Sequence, residues 1–121
     1  MTTIAMTTES FPAQIQKDGI VFIDFWASWC GPCRAFAPIF EAAAKKHPDI
    51  TWAKVDTEAE QELAGALEIR SIPTLMVFRD GILLFAQPGM LPASAIDELV
   101  TKVRALDMNE VRREVTQARV A

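Results

Sequence analysis

The chain has little cysteine, two residues in 121. That excludes the disulfide framework of a small secreted domain, which needs several bridges. Histidine is scarcer still, with His47 alone. Structural zinc takes four ligands, and His47 is the one histidine that could join the two cysteines. No apolar run approaches the roughly 18 residues that a membrane-spanning helix needs. Lys and Arg number 12 against 16 Asp and Glu, a net charge of −4. That balance lacks the clustered basic charge of a nucleic-acid partner. The stretch Met1 to Gly19 is polar, carries Glu9, Lys17 and Asp18, and shows no apolar core of a signal peptide. No repeat, low-complexity tract or G-x-G-x-x-G occurs, so no bound nucleotide or other cofactor is expected. These absences leave a soluble, cytoplasmic protein as the expectation, with neither nucleic acid nor membrane as partner.

What is present is a core-forming composition and one motif. Half of the residues are hydrophobic, enough for a single domain at this length. Both cysteines fall within Trp29-Cys30-Gly31-Pro32-Cys33, where a strand-like run passes into a helix-like one. Two thiols at that spacing can reach each other. If Cys30 opens the helix, unpaired N–H groups and the positive end of the dipole favour its thiolate, the nucleophile of disulfide exchange. The stretch reads as a dithiol redox centre.

Periodicity supplies the frame. Ile4 to Met6 reads as a short strand and Pro12 to Lys17 as a helix, with Thr7 or Thr8 as possible caps. Ile20 to Trp26 is a strand apolar on both faces, hence central. Period-2 counting sets Asp24 among Ile20, Phe22 and Trp26, so an acid lies on an apolar face, where burial raises its pKa. Pro32 to Lys46 is a helix burying Phe36, Ile39, Phe40 and Ala43, with Pro38 expected to kink it. Ile50 to Val55 is a strand, and Asp56-Thr57-Glu58 is expected to open the next helix. Thr74 to Arg79 and Ile82 to Gln87 flank Asp80-Gly81, a hairpin signal. Pro92 to Leu106 is a helix, and another, capped by Asp107 or Asn109, runs to about Arg119 with Met108, Val111 and Val115 along one side. The order predicts an α/β fold with a mixed sheet and helices on both faces. Residues 101–121 carry five basic and three acidic side chains, net +2, against −6 for the preceding hundred.

Several segments together resemble the thioredoxin family. They are Asp24-Phe25-Trp26-Ala27-Ser28-Trp29-Cys30-Gly31-Pro32-Cys33, Ala53-Lys54-Val55-Asp56, Ile69-Arg70-Ser71-Ile72-Pro73-Thr74, then Asp80-Gly81 and Gly89, in the family's order. The likeness spans residues 4–105. It implies the thioredoxin fold, a five-stranded mixed sheet flanked by four helices. Residues 1–106 would form that domain, and 107–121 an extra C-terminal helix. Pro88 departs from the pattern, because a proline before Gly89 has no N–H to offer.

The resemblance implies a protein-disulfide reductase with a catalytic set of Cys30, Cys33, Asp24 and Lys54. Cys30, expected exposed, attacks; Cys33, expected more buried, resolves; Asp24 assists removal of the Cys33 proton, with Lys54 as its ionic neighbour. Trp29, Gly31, Pro32, Ile72, Pro73 and Gly89 would bind substrate, with Ile72-Pro73 as a cis-proline loop and Pro88 on the same rim. Gly31 lets the backbone come close, and Pro32 fixes φ in the first helical turn. Trp26 packs beneath the site, and His47 is an exposed helix end. The implied partners are thioredoxin reductase and disulfide-containing client proteins, met by a monomer. A redox-inactive binding role, with the basic tail as its docking surface, is the competing expectation.

Overall fold

The computed structural model describes residues 2–120. The chain runs β1 (Ile4–Ala5), α1 (Phe11–Gln16), β2 (Ile20–Trp26), α2 (Gly31–Lys46), β3 (Thr51–Asp56), α3 (Gln61–Ala66), β4 (Thr74–Arg79), β5 (Ile82–Pro88), α4 (Ala93–Ala105) and α5 (Met108–Val120). The five strands form one sheet in the order β1-β3-β2-β4-β5. β2 is central, parallel to β3 and antiparallel to β4. Its two apolar faces serve two cores. Phe22 packs with Phe36, Phe40, Trp52, Leu75, Ile96 and Val100 beneath α2 and α4. Val21, Ile23 and Phe25 pack with Met6, Leu63, Met76 and Phe78 on the side of α1 and α3.

The hairpin turn is Asp80-Gly81, both with positive φ, at 53° and 82°. Positive φ at both central positions matches the twist of the strands they join. α2 continues unbroken through Pro38. Its buried residues are Cys33, Phe36, Phe40, Ala43 and Ala44, while Ile39 is half-buried.

Two expectations are corrected. Asp56-Thr57-Glu58 do not begin a helix; α3 starts at Gln61. Asp56 Oδ1 accepts the backbone N–H groups of Glu58 (2.9 Å) and Ala59 (3.4 Å), closing a local turn that competes with the helix. His47 is not an exposed end. It is half-buried, its ring stacked on Trp52 at 6.3 Å and its Nε2 3.3 Å from Asp97 Oδ1 on α4.

The extension forms the expected helix. Asp107 Oδ1 accepts the N–H groups of Asn109 (3.0 Å) and Glu110 (3.4 Å), capping α5. Met108 is buried and Val111 and Val115 are half-buried. An Arg112 nitrogen lies 3.7 Å from Asp80 Oδ2. α5 therefore sits by the hairpin turn, at the sheet end opposite Cys30. None of the described helices is long and apolar enough to cross a membrane.

Candidate active site

β2 and β3 are parallel, so their C-terminal ends share one edge of the sheet. The chain leaving β2 reaches Cys30, the N-cap residue of α2, within four residues. Pro32 lies in the first turn, where its missing N–H leaves no bond unmade. The Cys33 backbone N–H points at Cys30 Sγ, 3.2 Å away, and the Arg34 N–H donates to the Cys30 carbonyl at 3.2 Å. A thiolate at Cys30 would meet a ready N–H donor and the helix dipole together. Here Cys30 and Cys33 are joined as a disulfide, with Cα atoms 5.2 Å apart.

The expected contrast in exposure is absent, since Cys30 is 4% exposed and Cys33 3%. The reason is local. Both sulfurs pack with Ala27, against Trp26 and Ile72, and Cys30 Sγ is 3.7 Å from the Ile72 carbonyl oxygen. The Ile72–Pro73 peptide is cis. Pro73 is buried, and its carbonyl accepts the Gly89 N–H at 2.7 Å. Gly89 has φ 95°, a conformation that glycine adopts without strain. Pro88 pairs with Thr74 at the end of β5. The loops carrying Cys30, Ile72-Pro73 and Gly89 thus meet at one place. Gly31, Pro32 and Gly89 are exposed there, Ile72 is half-buried, and Trp29 is 66% exposed.

Asp24 is fully buried, and neither carboxylate oxygen has a hydrogen-bond partner among the described residues. In register, it lies between Lys54 on β3 and Leu75 on β4. Burial pushes its pKa up to about 6, against the downward pull of the Lys54 ammonium. Lys54 Nζ sits 5.3 Å from the centroid of the Trp26 ring. A cavity of about 250 Å³ is lined by Trp26, Cys33, Arg34 and Lys54 among others, so Cys33 and Lys54 border one space.

Two contacts escape a reading of the sequence. Trp29 Nε1 donates to Glu58 Oε1 at 2.6 Å, and Arg34 Nη1 donates to the Ser28 carbonyl at 2.8 Å. Both secure the segment just before Cys30. The signal for the first lay in topology: Glu58 follows β3 as Trp29 follows β2, and parallel neighbours end side by side.

Comparison with known proteins agrees with this geometry. The thioredoxin family model matches residues 2–102. A protein described as putative thioredoxin 2 of Streptomyces coelicolor is 49% identical over 115 residues, covering 95% of this chain and 86% of its own. That match runs into residues 107–121. Thioredoxin of Bacillus subtilis is 40% identical over 103 residues, 84% of this chain and 98% of its own. Among solved structures, a mutant thioredoxin of Halobacterium salinarum superposes with a TM-score of 0.78 at 30% identity, covering 87% of this chain and 92% of that one. With a helix-capping cysteine pair on that fold, the chain belongs to the thioredoxin family and is a thiol–disulfide oxidoreductase.

Proposed function

We propose that the chain is a general reductase of protein disulfides. The observation that carries this reading is the Cys33 N–H aimed at Cys30 Sγ at 3.2 Å, at the start of α2 and beside the Ile72 carbonyl. In the reduced protein, the Cys30 thiolate attacks one sulfur of a client disulfide. The client's S–S bond breaks, a Cys30–client bond forms, and the other client sulfur leaves as a thiolate that takes a proton. The Cys33 thiol then loses its proton to ionised Asp24, the register neighbour of Lys54, which borders one cavity with Cys33. Cys33 attacks Cys30, the second client thiolate leaves, and the Cys30–Cys33 disulfide closes. Two electrons pass from the dithiol to the client. Lys54 holds Asp24 in its charged form often enough to act near neutral pH. Trp29, Gly31, Pro32, Ile72, Pro73 and Gly89 form the docking rim. The Ile72 backbone offers hydrogen bonds to an extended client segment, which gives recognition independent of its side chains.

Thioredoxin reductase returns the pair to the dithiol. The protein works as a cytoplasmic monomer, with residues 1–106 carrying the reaction and 107–121 adding a helix. The test is Cys33→Ser. Attack still occurs but resolution cannot, so covalent complexes with disulfide proteins should accumulate through Cys30. Equal trapping on Cys33 in a Cys30→Ser protein would reverse the assignment.

A further inference from the structure

Glu58 takes no part in the reaction above, yet its carboxylate holds the residue next to Cys30. The Trp29 indole N–H donates to Glu58 Oε1 at 2.6 Å across 29 residues of sequence. The ionised acceptor makes this a charge-assisted bond, stronger than one between neutral groups. Glu58 is itself fixed. Asp56 Oδ1 accepts its N–H at 2.9 Å. The Thr57 N–H and hydroxyl both donate to the Trp26 carbonyl, at 2.9 and 3.0 Å. Glu60 Oε1 accepts the Thr8 N–H at 2.9 Å. The loop after β3 is therefore clamped to the end of β2 and to the segment after β1, and it presents one carboxylate to one indole.

Both partners are exposed, Trp29 by 66%. A contact between two exposed side chains adds little to folding stability. Its effect lies in the orientation of the ring. An untethered indole samples several rotamers and must be ordered when a partner binds, whereas a tethered one is ordered in advance. We propose that Glu58 is a positioning residue for client capture. It holds the Trp29 ring as a preset apolar contact for the polypeptide flanking a client disulfide. The proposal rests on the reading that protein disulfides are the substrates. Glu58 touches neither sulfur, so it governs capture of a polypeptide and leaves the exchange chemistry alone.

The experiment uses the full chain in its reduced form. Loss of its free thiols is followed after mixing with insulin, a disulfide-bonded polypeptide, and separately with oxidised mercaptoethanol, which is too small to need the ring. Glu58→Ala should slow the reaction with insulin by about three- to tenfold, the cost of ordering one side chain on binding. The reaction with the small disulfide should stay within about twofold. Glu58→Gln retains an oxygen acceptor and should recover most of the insulin rate. In a Trp29→Phe background, Glu58→Ala should have no further effect, because a role through the ring disappears with its N–H. The proposal is overturned by an unchanged insulin rate in Glu58→Ala, by equal slowing on both disulfides, by failure of the Gln variant to rescue, or by a full effect without Trp29. Failure of the unsubstituted protein to reduce insulin would instead sink the protein-disulfide reading, and it needs no variant to be seen.

Discussion

Where β2 and β3 finish, Asp24 is buried with no hydrogen-bond partner among the described residues, and Trp29 stands largely in solvent. At the opposite end of the same strands, polar groups are matched. Asp80 Oδ1 accepts the Gly19 N–H at 2.8 Å, while the Asp80 N–H donates to the Gly19 carbonyl at 3.0 Å. Arg79 Nη1 reaches the carbonyls of Val103, Arg104 and Leu106 at 2.7, 3.5 and 3.3 Å, satisfying the end of α4. Arg104 grips Asp49 with two bonds, at 2.6 and 3.1 Å. One end keeps groups in states that oppose folding, and the other neutralises its own. The difference teaches that the reactive end draws on stability generated elsewhere. Substitutions at the two ends should therefore move stability in opposite directions.

Asp24→Asn should show the largest effect. The unfolded carboxyl ionises near 3.8 and the folded one near 6. Between those values the folded state binds more protons, so stability falls as pH rises. Above about 6 the deficit is constant, on the order of 3 kcal/mol. Asn cannot ionise. The variant should gain up to about that much at neutral pH and lose the pH dependence across this window. Resolution of the mixed disulfide should slow at the same time. Denaturant titrations at acid and neutral pH check this, and a net loss of stability would erase the contrast between the two ends.

Truncation after Leu106 should act in the opposite sense. It removes buried Met108 and half-buried Val111 and Val115. Stability should fall by roughly 1–3 kcal/mol, the scale of one or two aliphatic side chains. Turnover on a generic disulfide should hold, because α5 lies by the hairpin turn. Loss of turnover at unchanged stability would place the tail in the catalytic or reductase-docking machinery.

Much of this was readable in the sequence, for physical reasons. β2 announced itself by an apolar run with a single acid. The Asp80-Gly81 turn followed from residues that tolerate positive φ, and α2 from its apolar spacing. The misjudged elements depended on contacts that no local pattern carries. Asp56 resembled a helix opener because an acid suits a first turn, but its carboxylate is spent on a turn before α3. His47 looked exposed because nothing nearby in sequence announces Asp97, fifty residues away. The Cys30–Cys33 pair was legible from the motif and the burial of Asp24 from periodicity. The placement of Lys54 beside Asp24 came from the family likeness and agrees with the strand register. The Glu58 contact required knowing that β2 and β3 are neighbours.

Arg79→Ala should give the smallest effect of the series. It frees the last carbonyls of α4 to find solvent, at a cost of about 1 kcal/mol. Thermal unfolding should register that loss with no change in thiol reactivity. A change in thiol reactivity would mean that the two ends communicate through β4, which runs from Thr74 beside the dithiol to Arg79.

The edges of the sheet bear on self-association. A protein proposed to accept extended segments beside its strands must avoid accepting another copy of itself. β1 is only two residues long. β5 is longer, but its register slips: Val77 faces Phe85 and Phe78 faces Leu83, leaving Leu84 without a partner. Pro88 ends it with no N–H to donate. A short strand on one side, and a bulged, proline-ended strand on the other, give a second sheet little to extend. The peptide recognition proposed for the Ile72 backbone would thus sit in a sheet whose own edges offer little to extend.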